Sequence, residues 1–126
     1  MKIFLVVTFL VVPFAVHAEE SNRKWSKIDR VFQATSILAI AADWNQTRQI
    51  AKNPKLYYEN GVAEVVLGRH PSLSRVNWYF AGSMILNTAI AYALPNPYRR
   101  MFQIGSIVYE AYWINNNYGI GIRINF

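Results

Sequence analysis

Residues 77–94, NWYFAGSMILNTAIAYAL, contain no charged side chain and run directly into Pro95. A stretch like this has few ways to fold. As a helix it extends roughly 27 Å at about 1.5 Å per residue, close to the ~30 Å hydrocarbon core of a bilayer. Trp78, Tyr79 and Phe80 open it and Tyr92 lies near its end, positions where aromatic rings form interfacial belts. Ser83 and Asn87 are four apart, as are Ala89 and Ala93. Small residues at that spacing let a second helix approach closely, and an Asn can hydrogen-bond across to it. The stretch therefore reads as a helix that lives in or against a membrane. The competing reading is a buried helix of a soluble domain, because the run is only marginally apolar.

Leu94, Pro95, Asn96 and Pro97 end this helix, since each proline removes a donor and biases the residue before it away from helical geometry. So short a connection predicts an antiparallel return. Residues 98–115 supply it, with Phe102, Ile104, Ile107, Val108, Ala111 and Ile114 as apolar positions and Glu110 among them. A carboxylate there is expected to face the bundle, with Asn87 or the tyrosine hydroxyls as partners. Arg99 and Arg100 are expected at the headgroups. Upstream, residues 25–50 predict an amphipathic helix capped by Ser26 with Asp29 three residues on. Its apolar stripe is Ile28, Val31, Phe32, Leu38, Ala39 and Ala42, joined by Thr35 and broadened by Ile37 and Ile40. Trp44 marks either a membrane–water boundary or a core position. Trp78, Tyr79, Arg99 and Arg100 are the other expected interface anchors.

The region 52–74 carries turn signals at Asn53-Pro54 and Asn60-Gly61, and residues 62–67 read as a strand or a buried loop. Ser72 or Ser74 is expected to cap the following helix. Residues 115–117 are three asparagines, expected to break the last helix. The tail YGIGIRINF alternates, with Tyr118, Ile120, Ile122, Ile124 and Phe126 on one face, which predicts a β-like tail. It is expected to pair with residues 62–67; a terminal Phe on such a strand also resembles the closing strand of outer-membrane barrels. The middle of the chain has helical rather than alternating period, which argues against a barrel.

Residues 1–18, MKIFLVVTFLVVPFAVHA, have the tripartite pattern of a secretory signal peptide, either cleaved or retained as an anchor. Residues 19–126 then form one small domain. The whole chain of 126 residues carries 13 basic and 7 acidic side chains, a net charge of +6. Scattered positive charge together with high apolar content favours an anionic lipid surface over nucleic acid. The chain has no cysteine, which excludes disulfides, thiolate metal sites and cysteine nucleophiles.

Little in the sequence suggests catalysis. His70 is the one histidine past the leader, and Asp43, Glu59, Glu64 and Glu110 have no metal-ligand spacing. Glu59 and Glu64 form a weak acid/base pair at best, and no phosphate-binding loop is present. No enzyme activity, cofactor or metal is expected. The segments Asp43-Trp44-x-Gln46-Thr47, Tyr57-Tyr58-Glu59, Leu67-Gly68-x-His70-Pro71-Ser72 and Asn77-x-Tyr79-Phe80 resemble a family of small uncharacterised envelope proteins from Gram-negative bacteria and their phages. In that family a DWxQT segment precedes an LGxHPS turn, an apolar hairpin and a short tail. Glu64-Val65-Val66 departs from the Asn-Pro expected before the Leu-Gly. The resemblance implies an envelope protein and no particular chemistry.

The expectation is thus a mainly α protein, a helical bundle with two or three membrane-associated helices and a β-like tail. It is exported to the cell envelope, at the inner membrane, with lipid as its main partner. A protein partner or self-association is possible in the same reading, with a structural or regulatory role through helix contacts. A soluble periplasmic binding domain and an outer-membrane component are the alternatives.

Overall fold

The computed structural model describes residues 24–59 and 61–126, so the leader expected over residues 1–18 lies outside the described part. Four helices follow one another: α1 (Lys27–Lys52), α2 (Gly61–Leu67), α3 (Leu73–Ala93) and α4 (Asn96–Gly119). Local chemistry sets their starts. The Ser26 side chain accepts from the Asp29 amide at 3.1 Å while the Asp29 carboxylate accepts from the Ser26 amide at 2.8 Å, a complete capping box. Ser72 caps α3 through the Arg75 amide at 3.2 Å. Pro95 ends α3, and Pro97 sits in the first turn of α4, where no N–H is needed.

The helices form a bundle in which α1 packs most extensively on α4, then on α3, with sparser contact between α3 and α4. Cross-helix pairs give the directions. Residues 29, 33 and 46 of α1 meet residues 99, 103 and 117 of α4, so these helices run parallel. Residues 33 and 44 of α1 meet residues 87 and 77 of α3, which runs antiparallel.

The face that α1 buries is its polar one. Asp29, Gln33, Ser36, Ile40, Thr47 and Ile50 are buried, and with Asp43 they step by four and three residues in turn. On α4, Arg99, Gln103, Glu110 and Asn117 are buried on the same rhythm. That is the spacing of a coiled-coil seam filled with polar side chains. Much of the apolar stripe read from the sequence points the other way: Ile28, Val31 and Leu38 are exposed, as are Ile85 and Leu86 on α3 and Met101, Ile104 and Val108 on α4, while Ile40 of that stripe is buried with Ile37 packed nearby. A compact apolar core of Ile40, Leu67, Val76 and Phe80 lies where α1, α2 and α3 meet.

Amides tie the seam. Gln33 Nε2 donates to Asn87 Oδ1 at 2.9 Å, and Asn87 Nδ2 donates to Ser106 Oγ at 2.8 Å. Ser106 Oγ lies 2.8 Å from Ser36 Oγ, and Gln103 Nε2 donates to Gln33 Oε1 at 3.1 Å. Asn87 therefore joins α1, α3 and α4. At the α3–α4 turn, Arg99 is fully buried and donates to the Ala91 and Leu94 carbonyls, both at 2.9 Å. Its guanidinium lies 3.4 Å from the buried Asp29 carboxylate, which Arg100 also contacts at 2.9 Å. Burial pushes Asp29 up, but hydrogen bonds from Arg100 and Ser26 outweigh it and hold the carboxyl at about 2.

Several expectations are corrected. Among the described residues no helix is long and apolar enough to cross a membrane. Residues 62–67 form most of α2 rather than a strand. Residues 115–117 lie inside α4, where Asn117 earns its place by donating to Gln46 Oε1 at 3.2 Å. No strand is found among the described residues, so the β-like tail is not there. The tail lies along α1 instead. Asn45 donates to the Asn125 carbonyl and accepts from its amide, both at 2.8 Å, and Gln49 donates to the Arg123 carbonyl. Side-chain amides thus take the place of a neighbouring strand, with Ile122 buried beneath and Phe126 pointing into the open.

Two outcomes follow. Asn87→Leu keeps the branching of the side chain but removes the bonds that Asn87 makes to Gln33, Ser36 and Ser106. It should lower unfolding stability by about 1–3 kcal/mol, read by denaturation followed by circular dichroism. The Asp29 clamp is present above the unfolded carboxyl value of about 3.9 and is lost as pH falls through about 2. Asp29→Asn should cost about 3 kcal/mol at neutral pH, because it removes a buried carboxylate that both Arg99 and Arg100 contact, and should flatten the stability loss between those two pH values.

Candidate functional site

At the end of the bundle opposite the Asp29 clamp, the seam opens into a partly enclosed cleft with about 30 Å³ of open space. That is room for one or two water-sized groups. Three carboxyl groups line it: Asp43 from α1, Glu59 from the loop after α1, and Glu110 from α4. Asp43 and Glu110 are hydrogen-bonding neighbours, and Asn117 Nδ2 donates to Asp43 Oδ1 at 3.3 Å. A hydrogen bond between two carboxyl groups requires a proton on one of them. Glu110 is 9% exposed, and its second oxygen, Oε2, is buried with no hydrogen-bond donor. The Glu59 side chain is buried as well, while its amide donates to the Arg69 carbonyl at 2.8 Å.

Aromatic rings supply the walls: Tyr79 and Phe80 from α3, Tyr109 and Trp113 from α4. Tyr79 stands edge-on to Phe80, and Tyr109 edge-on to Trp113. Gly61 closes one side. Its backbone has φ +68°, and a Cβ there would fall inside van der Waals contact of the Trp113 ring. Only a glycine both reaches that conformation without strain and leaves room for the indole.

Three of the four motif-like segments noted in the sequence reach this cleft, through Asp43, Glu59, Tyr79 and Phe80. Asp43 lines it, and Thr47, one turn on, hydrogen-bonds the Asp43 carboxyl. Trp44 donates from Nε1 to Asn77 Oδ1 at 3.0 Å and stacks on Phe80 at 6.3 Å. Gln46 is fully buried and donates to the Ile114 and Ile122 carbonyls at 3.4 and 3.3 Å. The Leu67 to Ser72 segment is the turn into α3, with Gly68 at φ +84°.

The sequence-level candidates divide accordingly. Glu110 and Ser83 both reach the cleft, and Asn87 bonds across helices as expected. The expected partner of Glu110 is corrected: Asp43 holds it, while Asn87 is occupied by Gln33 and Ser106. Ser83 donates to the Tyr79 carbonyl at 2.8 Å within its own helix. Ala89 is exposed and Ala93 half-buried, so Ala89 does not mark a close helix approach. Trp44 and Tyr79 are packed in the interior rather than at a boundary, and Arg99 is buried rather than at a headgroup. Arg100 is half-buried on Asp29, and Trp78 is 78% exposed. Glu59 and Glu64 do not form a pair; Glu64 lies 3.8 Å from Arg69. Spacing along the chain does not show that Asp43 and Glu110 come together. The signal is register: the offset that pairs Asp29 with Arg99 brings residue 43 to the turn of α4 that holds Glu110.

Among the described residues no group of three His, Cys, Asp or Glu side chains is arranged to hold a metal. No family model, curated protein or solved structure matches the chain.

The closure by Gly61 is testable. Gly61→Ala should destabilise the fold by about 1–3 kcal/mol from backbone strain alone and displace Trp113, shifting its indole resonance. Adding Trp113→Phe should recover part of the loss by removing the clash.

Proposed function

We propose that this chain is a membrane-embedded helical bundle of the cell envelope, acting through helix–helix contacts rather than by a reaction of its own. The observation that carries this reading is how charge and apolarity are sorted. Between Arg30 and Arg48 the one charge is Asp43; between Arg75 and Arg99 there is none; between Arg100 and Arg123 the one charge is Glu110. Asp43 and Glu110 face each other inside the bundle. Along α1, α3 and α4 the surface between the two ends is therefore an uncharged belt, crossed by Leu38, Ile85 and Val108, all more than 60% exposed, while α2 with Glu64 packs against it at Ile40 and Phe80. The helical parts of the belt, residues 31–47, 76–93 and 101–119, correspond to about 25 to 29 Å of helix at about 1.5 Å per residue, close to the scale of a hydrocarbon core.

In water this arrangement is unfavourable, since each exposed aliphatic side chain forgoes about 1.5–3 kcal/mol of burial while amides fill the interior. In lipid both halves make sense. The aliphatic belt meets acyl chains, and seam amides and carboxyls are satisfied against one another. Hydropathy averaged along a single helix counts seam residues that never face lipid, so the bundle is the unit that inserts. Both ends are rimmed by basic residues, Lys24, Lys27, Arg30 and Arg100 at one and Arg48, Lys52, Arg69 and Arg75 at the other, suited to anionic headgroups. Export by the leader would bring the chain to the inner membrane.

Alkaline carbonate washing of membranes from cells expressing the untagged chain tests this. The protein should stay in the membrane pellet and leave it only with detergent. Recovery in the carbonate supernatant, or in an osmotic-shock fraction without detergent, would favour a soluble periplasmic domain instead.

A further inference from the structure

We propose that the Asp43–Glu110 cleft is a binding site for a primary ammonium group, R–CH2–NH3+. This inference stands on the cleft alone and does not depend on where the bundle resides. Asp43, Glu59 and Glu110 all line about 30 Å³ of space, and Glu110 Oε2 is buried with no hydrogen-bond partner. The nearby Asn117 amide is already committed to Asp43 and Gln46, and the Ser83 hydroxyl to a carbonyl of its own helix. A ligand that completes this site has to donate a hydrogen bond to Glu110 Oε2, and a lining rich in carboxyl groups favours a positively charged donor.

The walls narrow the choice. The rings of Tyr79, Phe80, Tyr109 and Trp113 make up much of the remaining lining, with the two phenol hydroxyls as its other oxygen groups besides the carboxyls and Ser83. Such walls favour an organic cation over a strongly hydrated metal ion. The absence of a three-residue metal group among the described residues agrees. Size narrows it further. The space fits about two non-hydrogen atoms, which matches the –CH2–NH3+ end of a larger molecule. A quaternary ammonium is excluded twice, by bulk and because it has no N–H for Glu110 Oε2. The same chemistry occurs in a free alkylamine and in an aminophospholipid headgroup.

The test uses the full chain in neutral detergent micelles, with the indole N–H resonance of Trp113 as reporter, assigned by Trp113→Phe. Methylammonium chloride is titrated at constant ionic strength, with tetramethylammonium chloride and calcium chloride as comparisons. Methylammonium should shift Trp113 saturably, tetramethylammonium and calcium should not, and Glu110→Gln should weaken the effect by about tenfold or more, with the other three indoles unmoved. If Glu110→Gln does not fold, Asp43→Asn is read in the same way. No saturable shift, an equal shift with tetramethylammonium or calcium, or undiminished binding in both variants would overturn the proposal. Repeating the titration in vesicles separates the sources. With a lipid headgroup as occupant, Trp113 starts at its bound position in phosphatidylethanolamine and titrates only in phosphatidylcholine; with a free amine it titrates alike in both. Because the reporter sits in the cleft, failure here is distinct from failure of the carbonate wash.

Discussion

Asn87 is where the three long helices meet, and the bundle is arranged so that its amide is satisfied. Its oxygen accepts from Gln33 of α1 and its nitrogen donates to Ser106 of α4. A buried amide left without partners costs about 1–3 kcal/mol, so this crossing fixes the register of α1 against α4 far more sharply than aliphatic packing does. A slip of one residue would unpair Gln33, Ser36, Gln103 and Ser106 together. The same register then determines both ends. It sets Asp29 against Arg99 and Arg100 at the α3–α4 turn, and it brings Asp43 to Glu110 at the other end.

Local signals in the sequence carried over well. Ser26 and Ser72 cap as read, Pro95 ends α3, and the uncharged stretch is helical over nearly all its length. Asn87 crosses to another helix and Glu110 faces inward, both as expected from the rarity of such groups in apolar segments. What the sequence hid was the side of each helix that packs. Counting apolar residues at helical spacing finds the stripe of Ile28, Val31 and Leu38, and the usual assumption turns that stripe inward. Here the inward seam is Asp29, Gln33, Ser36, Asp43 and Thr47, which on one helix alone resembles a solvated face. It becomes recognisable only beside α4, where Arg99, Gln103, Ser106, Glu110 and Asn117 repeat its spacing. Residues 115–117 were misread for the same reason. Asparagine is a weak helix former, but Asn117 is held by a buried hydrogen bond that propensity does not see. The tail alternates as a strand does, yet Asn45 and Gln49 satisfy its backbone without a second strand.

The cleft and the belt pose complementary problems. Polar groups buried in the seam have partners almost throughout, which is what makes an inward polar face tolerable. Glu110 Oε2 departs from that rule, as does Gln103 Oε1 further along the seam; Glu110 is the one of the two that lines the cleft, where a ligand has room to reach it. The belt departs in the opposite sense, with aliphatic side chains directed outward. Both features have one explanation if the outside of the bundle is lipid and the cleft takes a small cation.

The measurement closest to that explanation is the environment of single outward positions. The chain lacks cysteine, so a nitroxide can be attached at Leu38, Ile85 or Val108 one at a time in the full protein reconstituted into vesicles. Collision rates with oxygen and with a water-soluble nickel chelate then report the surroundings. The account predicts high oxygen and low nickel accessibility at all three sites, with the reverse at Lys55. Nickel accessibility at Leu38, Ile85 and Val108 equal to that at Lys55 would contradict it.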